Sequence, residues 1–156
     1  MCLKLQGECE HEEGFGKFYS FPPGDQLKHM LEERSLASAI EYYHNNQNRD
    51  DNLLCDIIND AEYKKIKGLL HNLFELLTIL WNTDGLLLSH SSQQELWVVL
   101  GTICEVPPQL RSSFVIVAGL YVGVKKPDMN VFLEPLCSSL QKLWENGFSW
   151  ISPLTK

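Results

Sequence analysis

The segment from Leu76 to Gly123, LLTILWNTDGLLLSHSSQQELWVVLGTICEVPPQLRSSFVIVAGLYVG, constrains the fold more than any other part of the chain. It holds three runs rich in Leu, Ile, Val, Trp, Phe and Tyr, separated by polar or proline-bearing breaks. Runs of this length and make-up predict three consecutive strands. The first starts near Glu75 and ends at Asp84, the second covers Leu96 to Ile103, and the third covers Phe114 to Val122. Short connections favour an antiparallel meander. Side chains alternate between faces along a strand, so Thr78, Leu80, Asn82 and Asp84 share one face, while Ile79, Trp81 and Thr83 take the other. Leu86 to Leu88 extends the hairpin, with His90, Ser91 and Ser92 in its turn.

A helix follows the third run. Pro127-Asp128 opens it, and Val131, Phe132, Leu136, Leu140, Leu143 and Trp144 trace an apolar stripe at helical spacing. Asn146-Gly147 supplies the stop. Pro135 is tolerated if the regular helix begins near Glu134 and otherwise kinks it. Phe148 to Lys156 fits the approach to another strand.

Upstream the pattern is helical. Residues 1–17 are acidic and aperiodic and read as a loose leader, and residues 18–74 as a helical module. Phe18 to Pro23 is extended and ends in a turn. Asp25 then caps a helix from Gln26 to Arg34, with Leu27, Met30 and Leu31 on one face. Ser35 caps a second helix bearing Leu36, Ile40 and Tyr43. Asn45 to Asn52 is polar and breaks the pattern. Glu62 to Lys67 is helical and ends at Gly68.

Composition limits function. The 156 residues predict one domain, and 44% hydrophobic with 21% charged residues is an ordinary globular balance. A net charge of -7 excludes DNA binding through a bulk basic face. No apolar run follows a basic N-terminal region, and Phe114 to Val124 is about half of the ~20 residues a membrane-spanning helix needs. The expectation is an intracellular protein, nuclear or cytoplasmic, without a membrane partner. Five cysteines fit free thiols in a reducing compartment. Cys2, Cys9 and His11 fall short of the four ligands of a closed metal site, and free thiols are the simpler reading.

Several short motifs recur here in one order: Asn82-Thr83-Asp84-Gly85, Ser91-Ser92, Trp97, Glu105-Val106-Pro107-Pro108-Gln109-Leu110-Arg111, Ala118-Gly119-Leu120 and Lys126-Pro127-Asp128-Met129-Asn130. Their order and spacing over Trp81 to Phe148 resemble a block of the CACTA-like (En/Spm-like) cut-and-paste transposases and their animal relatives. There the block reads roughly NTDG, a KSS-like triplet, a W-P pair, NELPPKLR, AGLW-G and KPxMNxFLxPF. Upstream, Phe21-Pro22-Pro23-Gly24-Asp25-Gln26-Leu27 and Asp56 to Lys64 echo the family's FPLxxQL and DIYDGxxYK. Ile58 and Ala61 stand where its Tyr and Gly are usual.

The resemblance implies an α+β chain: a small helical module, then at 75–156 an incomplete RNase H-like half-fold of three antiparallel strands and a helix. It also implies DDE-type chemistry. Three acids hold two Mg²⁺ ions, which activate water or a 3′-hydroxyl against a DNA phosphodiester; the carboxylates must converge because two hard cations need several shared oxygen ligands. Asp84 matches the first catalytic, metal-binding acid. The second belongs to a fourth strand and the third to a later helix, neither of which has a counterpart in these residues. Asp128, Glu134 and Glu145 read as helix-terminal or surface acids. The expectation is a transposon-derived fragment that neither cleaves DNA nor holds Mg²⁺ tightly, with DNA a weak partner or none. Ser91 and Ser92 read as turn residues or substrate-side contacts. Lys125, Lys126 and Arg111 read as solvated charges or phosphate contacts of a complete enzyme. The unpaired outer edge of the first strand invites self-association. The alternative is a non-enzymatic interaction module.

Overall fold

The computed structural model describes residues 16–45, 56–70, 77–89 and 93–154. The described chain is α+β, with one antiparallel four-stranded sheet and four α-helices. The strands are β1 (Gly16–Ser20), β2 (Ile79–Ser89), β3 (Gln94–Ile103) and β4 (Val115–Gly123), in the order β1-β4-β3-β2. The helices are α1 (Pro23–Glu32), α2 (Arg34–Asn45), α3 (Ala61–Leu70) and α4 (Met129–Asn146). The chain divides into two compact units. One holds the described parts of Met1–His29, Trp81–Gly101 and Ile116–Trp150; the other holds those of Met30–Leu80, Thr102–Val115 and Ile151–Lys156.

The three apolar runs form the expected strands β2, β3 and β4, and α4 follows them. The first run differs in length and surroundings. β2 continues through Gly85 to Ser89, so Asp84 lies within the strand rather than at its end. β2 is an edge strand, and Leu80, Asn82, Thr83, Asp84, Leu86, Leu87 and Leu88 are all exposed. Its start near Glu75 and the turn at His90 to Ser92 lie outside the described residues.

Residues of the extended piece at Phe18 form β1, which pairs antiparallel with β4: Gly16 sits opposite Gly123, Phe18 opposite Tyr121, and Ser20 opposite Gly119. A β-carbon at Gly16 would run into the far end of the Tyr121 ring, which would have to move to admit it. Past Ser20 the Phe21 N–H donates to the Ala118 carbonyl (3.0 Å), and a side chain then continues the pairing. The Gln26 amide donates to the Val117 carbonyl (2.8 Å) and accepts from the Val117 N–H (3.1 Å). One primary amide thus replaces a strand residue and satisfies both polar backbone groups of Val117.

The core of the first unit is a cluster of Val99, Ala118, Phe132 and Leu136, with Phe18, Trp81, Trp97, Tyr121, Met129, Leu133 and Leu140 packed against it. Phe132 meets the Phe18 and Tyr121 rings edge to face, at centroid distances of 5.4 and 6.3 Å. Such pairs add about 0.5–1.5 kcal/mol each beyond their burial. Trp144, placed on the apolar stripe by spacing, is largely exposed. Gly24 leaves room for Leu143, whose Cδ2 would be 2.9 Å from an added β-carbon.

Helix boundaries follow local chemistry. α1 begins at Pro23, whose missing N–H costs nothing in a first turn; Asp25 therefore sits inside the helix rather than capping it. α2 begins at Arg34, which puts Ser35 inside it, and buries Leu36, Ala37 and Ala39. Asp60 caps α3 by accepting from the Glu62 N–H (2.8 Å), and Gly68 lies inside that helix rather than at its stop. Asp128 caps α4 by accepting from the Asn130 N–H (2.9 Å). α4 starts at Met129, so Pro135 is interior and leaves the Val131 carbonyl without its helical donor. Gly147, at φ 60° and ψ -166°, ends α4 in backbone geometry reserved for glycine. Residues 148–154 contain no strand. Among the described residues no helix is long and apolar enough to cross a membrane.

Candidate functional site

Asp84 occupies the exposed face of β2. Its Oδ1 accepts from the N–H of Gly85 (2.8 Å), which fixes the carboxylate locally and leaves its other oxygen facing solvent. Gly85 is needed on the opposite face. The Trp97 ring of β3 lies over it, and a β-carbon there would come 2.5 Å from Trp97 Cε2. Trp97 in turn donates its indole N–H to Glu95 (2.8 Å) and carries the Lys126 ammonium 5.1 Å from its ring centroid. Asp84-Gly85, Trp97 and Lys126 come from three motifs far apart in sequence and meet in one small region. The cation–ring contact is worth about 0.5–1 kcal/mol at an exposed site.

The remaining candidates are dispersed. Lys125 is exposed in the turn before α4. Asp128 is committed to its cap, Glu134 is exposed on α4, and Glu145 accepts from Gln141 (2.8 Å). Ser91, Ser92, Cys2, Cys9 and His11 lie outside the described residues. Among those described, no three His, Cys, Asp or Glu side chains are gathered to hold a metal ion. A two-ion centre needs several converging oxygen ligands, and a single exposed carboxylate does not fit one.

Arg111 has a different role from the surface cation that spacing suggests. It sits in the 3-10 turn Pro108–Ser113, within the second unit. Nη1 donates to Asp56 Oδ1 (2.8 Å), Nη2 pairs with Asp56 Oδ2 and donates to the Cys104 carbonyl (2.7 Å), and Nε donates to the Val106 carbonyl (3.0 Å). The fork shape of guanidinium suits this bidentate grip. Asp56 also accepts from the Tyr43 hydroxyl (2.6 Å) and the Ile57 N–H (2.8 Å). Burial pushes its pKa up, but the hydrogen bonds from Arg111, Tyr43 and Ile57 and the Arg111 charge outweigh that and hold it below the ordinary carboxylate value.

Glu105 forms a second node. It is 7% exposed, and both of its oxygens accept from the Thr78 N–H (3.0 Å each) while Oε1 takes the Tyr63 hydroxyl (3.0 Å). Burial, then the adjacent Glu105 charge, drive the Tyr63 phenol well above its ordinary pKa, so it stays a donor. The same two causes raise the Cys104 thiol and keep it unreactive. Sequence reasoning quoted Asp56, Tyr63, Glu105 and Arg111 as motif letters but assigned the first three no role. The available signal was an acid and an arginine bracketing Val106-Pro107-Pro108, where a buried run gives way to a proline turn.

Comparison of the chain with protein-family models, with curated proteins and with solved structures gives no match.

Proposed function

We propose that the chain is a transposon-derived fragment carrying the opening part of a DDE-type DNA transposase fold of the CACTA-like kind, catalytically incomplete by itself. The observation that carries this reading is the placement of Asp84. It is an exposed acid on the first strand of a three-strand antiparallel meander followed by a helix, and that strand is the open edge of the sheet. In an RNase H-like fold the first acid belongs on this strand, and the fourth strand, with the second acid, pairs along this edge. Gly85, Trp97 and Lys126 cluster on the face of β2 opposite the Asp84 side chain, which gives these motifs a common neighbourhood. The upstream motif Asp56 to Lys64 and the later motif Glu105 to Arg111 contribute to structure by gripping one another.

Two measurements test the proposal. Mn²⁺ titrated into the purified chain is expected to broaden the resonances of residues 83–85 weakly, and Asp84→Asn to abolish the effect. Broadening centred elsewhere overturns the assignment of Asp84. The chain alone is expected not to nick or join DNA with Mg²⁺ or Mn²⁺, whereas a chimera supplying the fourth strand and later helix of a complete relative is expected to do so in an Asp84-dependent manner. Cleavage by the chain alone that Asp84→Asn removes overturns its incompleteness, and an inert but folded chimera overturns the transposase reading. A non-enzymatic interaction module is the second reading, supported by the exposed leucines of β2.

A further inference from the structure

An eleven-residue edge strand is a template for another strand, and proteins usually blunt such edges with lysine, proline, a bulge or short length. β2 has one charge, Asp84, and no lysine or proline. Leu80, Leu86, Leu87 and Leu88 on it are each more than half exposed. The orientation of its backbone is readable. Thr78 turns its carbonyl toward β3, where it accepts from the Cys104 N–H (2.9 Å), so alternation turns the N–H and C=O of Ile79, Trp81, Thr83, Gly85 and Leu87 to the open side, where the Gly85 N–H is held by Asp84 Oδ1 (2.8 Å) and is released on pairing. The side chains of Leu80, Asn82, Asp84, Leu86 and Leu88 share the face opposite Gly85 and Trp97.

We propose that β2 pairs antiparallel with β2 of a second copy about a two-fold axis through Thr83. The sequence of the strand selects both the occupant and the register. With the axis at Thr83, nine residues overlap, and the apolar, threonine–threonine and amide–carboxylate pairs are complementary. Leu80 faces Leu86 of the other copy, Ile79 faces Leu87, Asn82 faces Asp84, Trp81 faces Gly85, and the Thr83 residues exchange backbone bonds across the axis. Apolar, threonine–threonine and amide–carboxylate pairs each favour association. Moving the axis by one residue to Asp84 opposes the two carboxylates in a pair with no intervening backbone bonds, where side chains approach closest. Moving it to Gly85 sets each Asp84 against Leu86. The Thr83 register alone of these three satisfies both charge and apolar matching.

This pairing uses the open edge of β2 and does not depend on metal chemistry, so the Mn²⁺ and cleavage tests of the proposed function leave it independently decidable. Sedimentation equilibrium is expected to show a reversible dimer for the unaltered chain. A monomer up to about 100 μM, where even weak pairing would register, overturns the proposal. Thr83→Pro removes an outward N–H that β3 does not use, a position where an edge strand tolerates proline, and is expected to give a folded monomer by circular dichroism. A folded Thr83→Pro chain that still dimerises overturns the proposal. Should that variant unfold, charge pairs decide the register. Leu80→Lys with Leu86→Lys is expected to weaken the dimer at least about tenfold, and Leu80→Lys with Leu86→Glu to restore it. Equal weakening by both overturns the Thr83 register.

Discussion

Asp84 and Asp56 are both aspartates within motifs of the same resemblance, and their surroundings could hardly differ more. Asp84 stands on an exposed edge strand with one local hydrogen bond from the next residue. Asp56 is gripped by a guanidinium fork, a tyrosine hydroxyl and a backbone N–H. The contrast teaches that a motif letter carries no role by itself. A carboxylate that is to bind a cation must keep its oxygens accessible, whereas one that locks a fold gives them to internal donors.

The largest expected break in that contrast is Arg111→Met. Removing one partner of this part-buried, charge-assisted pair leaves the other poorly compensated, so a loss of roughly 1.5–3 kcal/mol is expected in urea unfolding. Asp84→Asn, at an exposed site, should change stability by no more than about 0.5 kcal/mol in the same assay. Next comes Gly85→Ala. The added methyl would press on the Trp97 ring, and overpacking of this kind costs about 1–3 kcal/mol; an unchanged melting temperature would remove the ring from the strand. Gly68→Ala should act oppositely. Nothing lies near the added atom inside α3, so a gain of about 1 kcal/mol is expected from helix propensity.

Acid sharpens the comparison further. The folded pKa of Asp56 lies below its ordinary value of 3.8, so its contribution is complete above about pH 4 and disappears as pH falls through the depressed value. Stability followed below pH 4 should fall more steeply in the unaltered chain than in Asp56→Asn. Equal slopes would mean that the carboxylate is not held by Arg111.

What the sequence disclosed follows from the range of the forces involved. β3, β4 and α4 were legible because their apolar periods are local, and so was the cap at Asp128. The extension of β2 was legible in part: Leu86 to Leu88 was expected to extend the hairpin, but Asp84-Gly85 has the composition of a strand end, whereas here the glycine serves the indole above it. Gly68 has the same ambiguity, and only tertiary context keeps it helical. β1 is five residues long and pairs with a strand about a hundred residues away, which no window of sequence can reveal. The Asp56–Arg111 and Tyr63–Glu105 contacts span 55 and 42 residues. The acid of the candidate site was therefore visible, but its accessibility was set by the sheet order.

The Gln26 amide has a consequence for how far assembly can go. Beyond Ser20 it fills the backbone valences of Val117, and the short β1 with Lys17 covers the rest of that flank. The border at β2 is therefore long and apolar, whereas the border at β1 is blunted by its five-residue length and Lys17. A two-fold contact through β2 would use up the long border in both molecules and leave only the short, lysine-bearing one, which disfavours growth into a fibre.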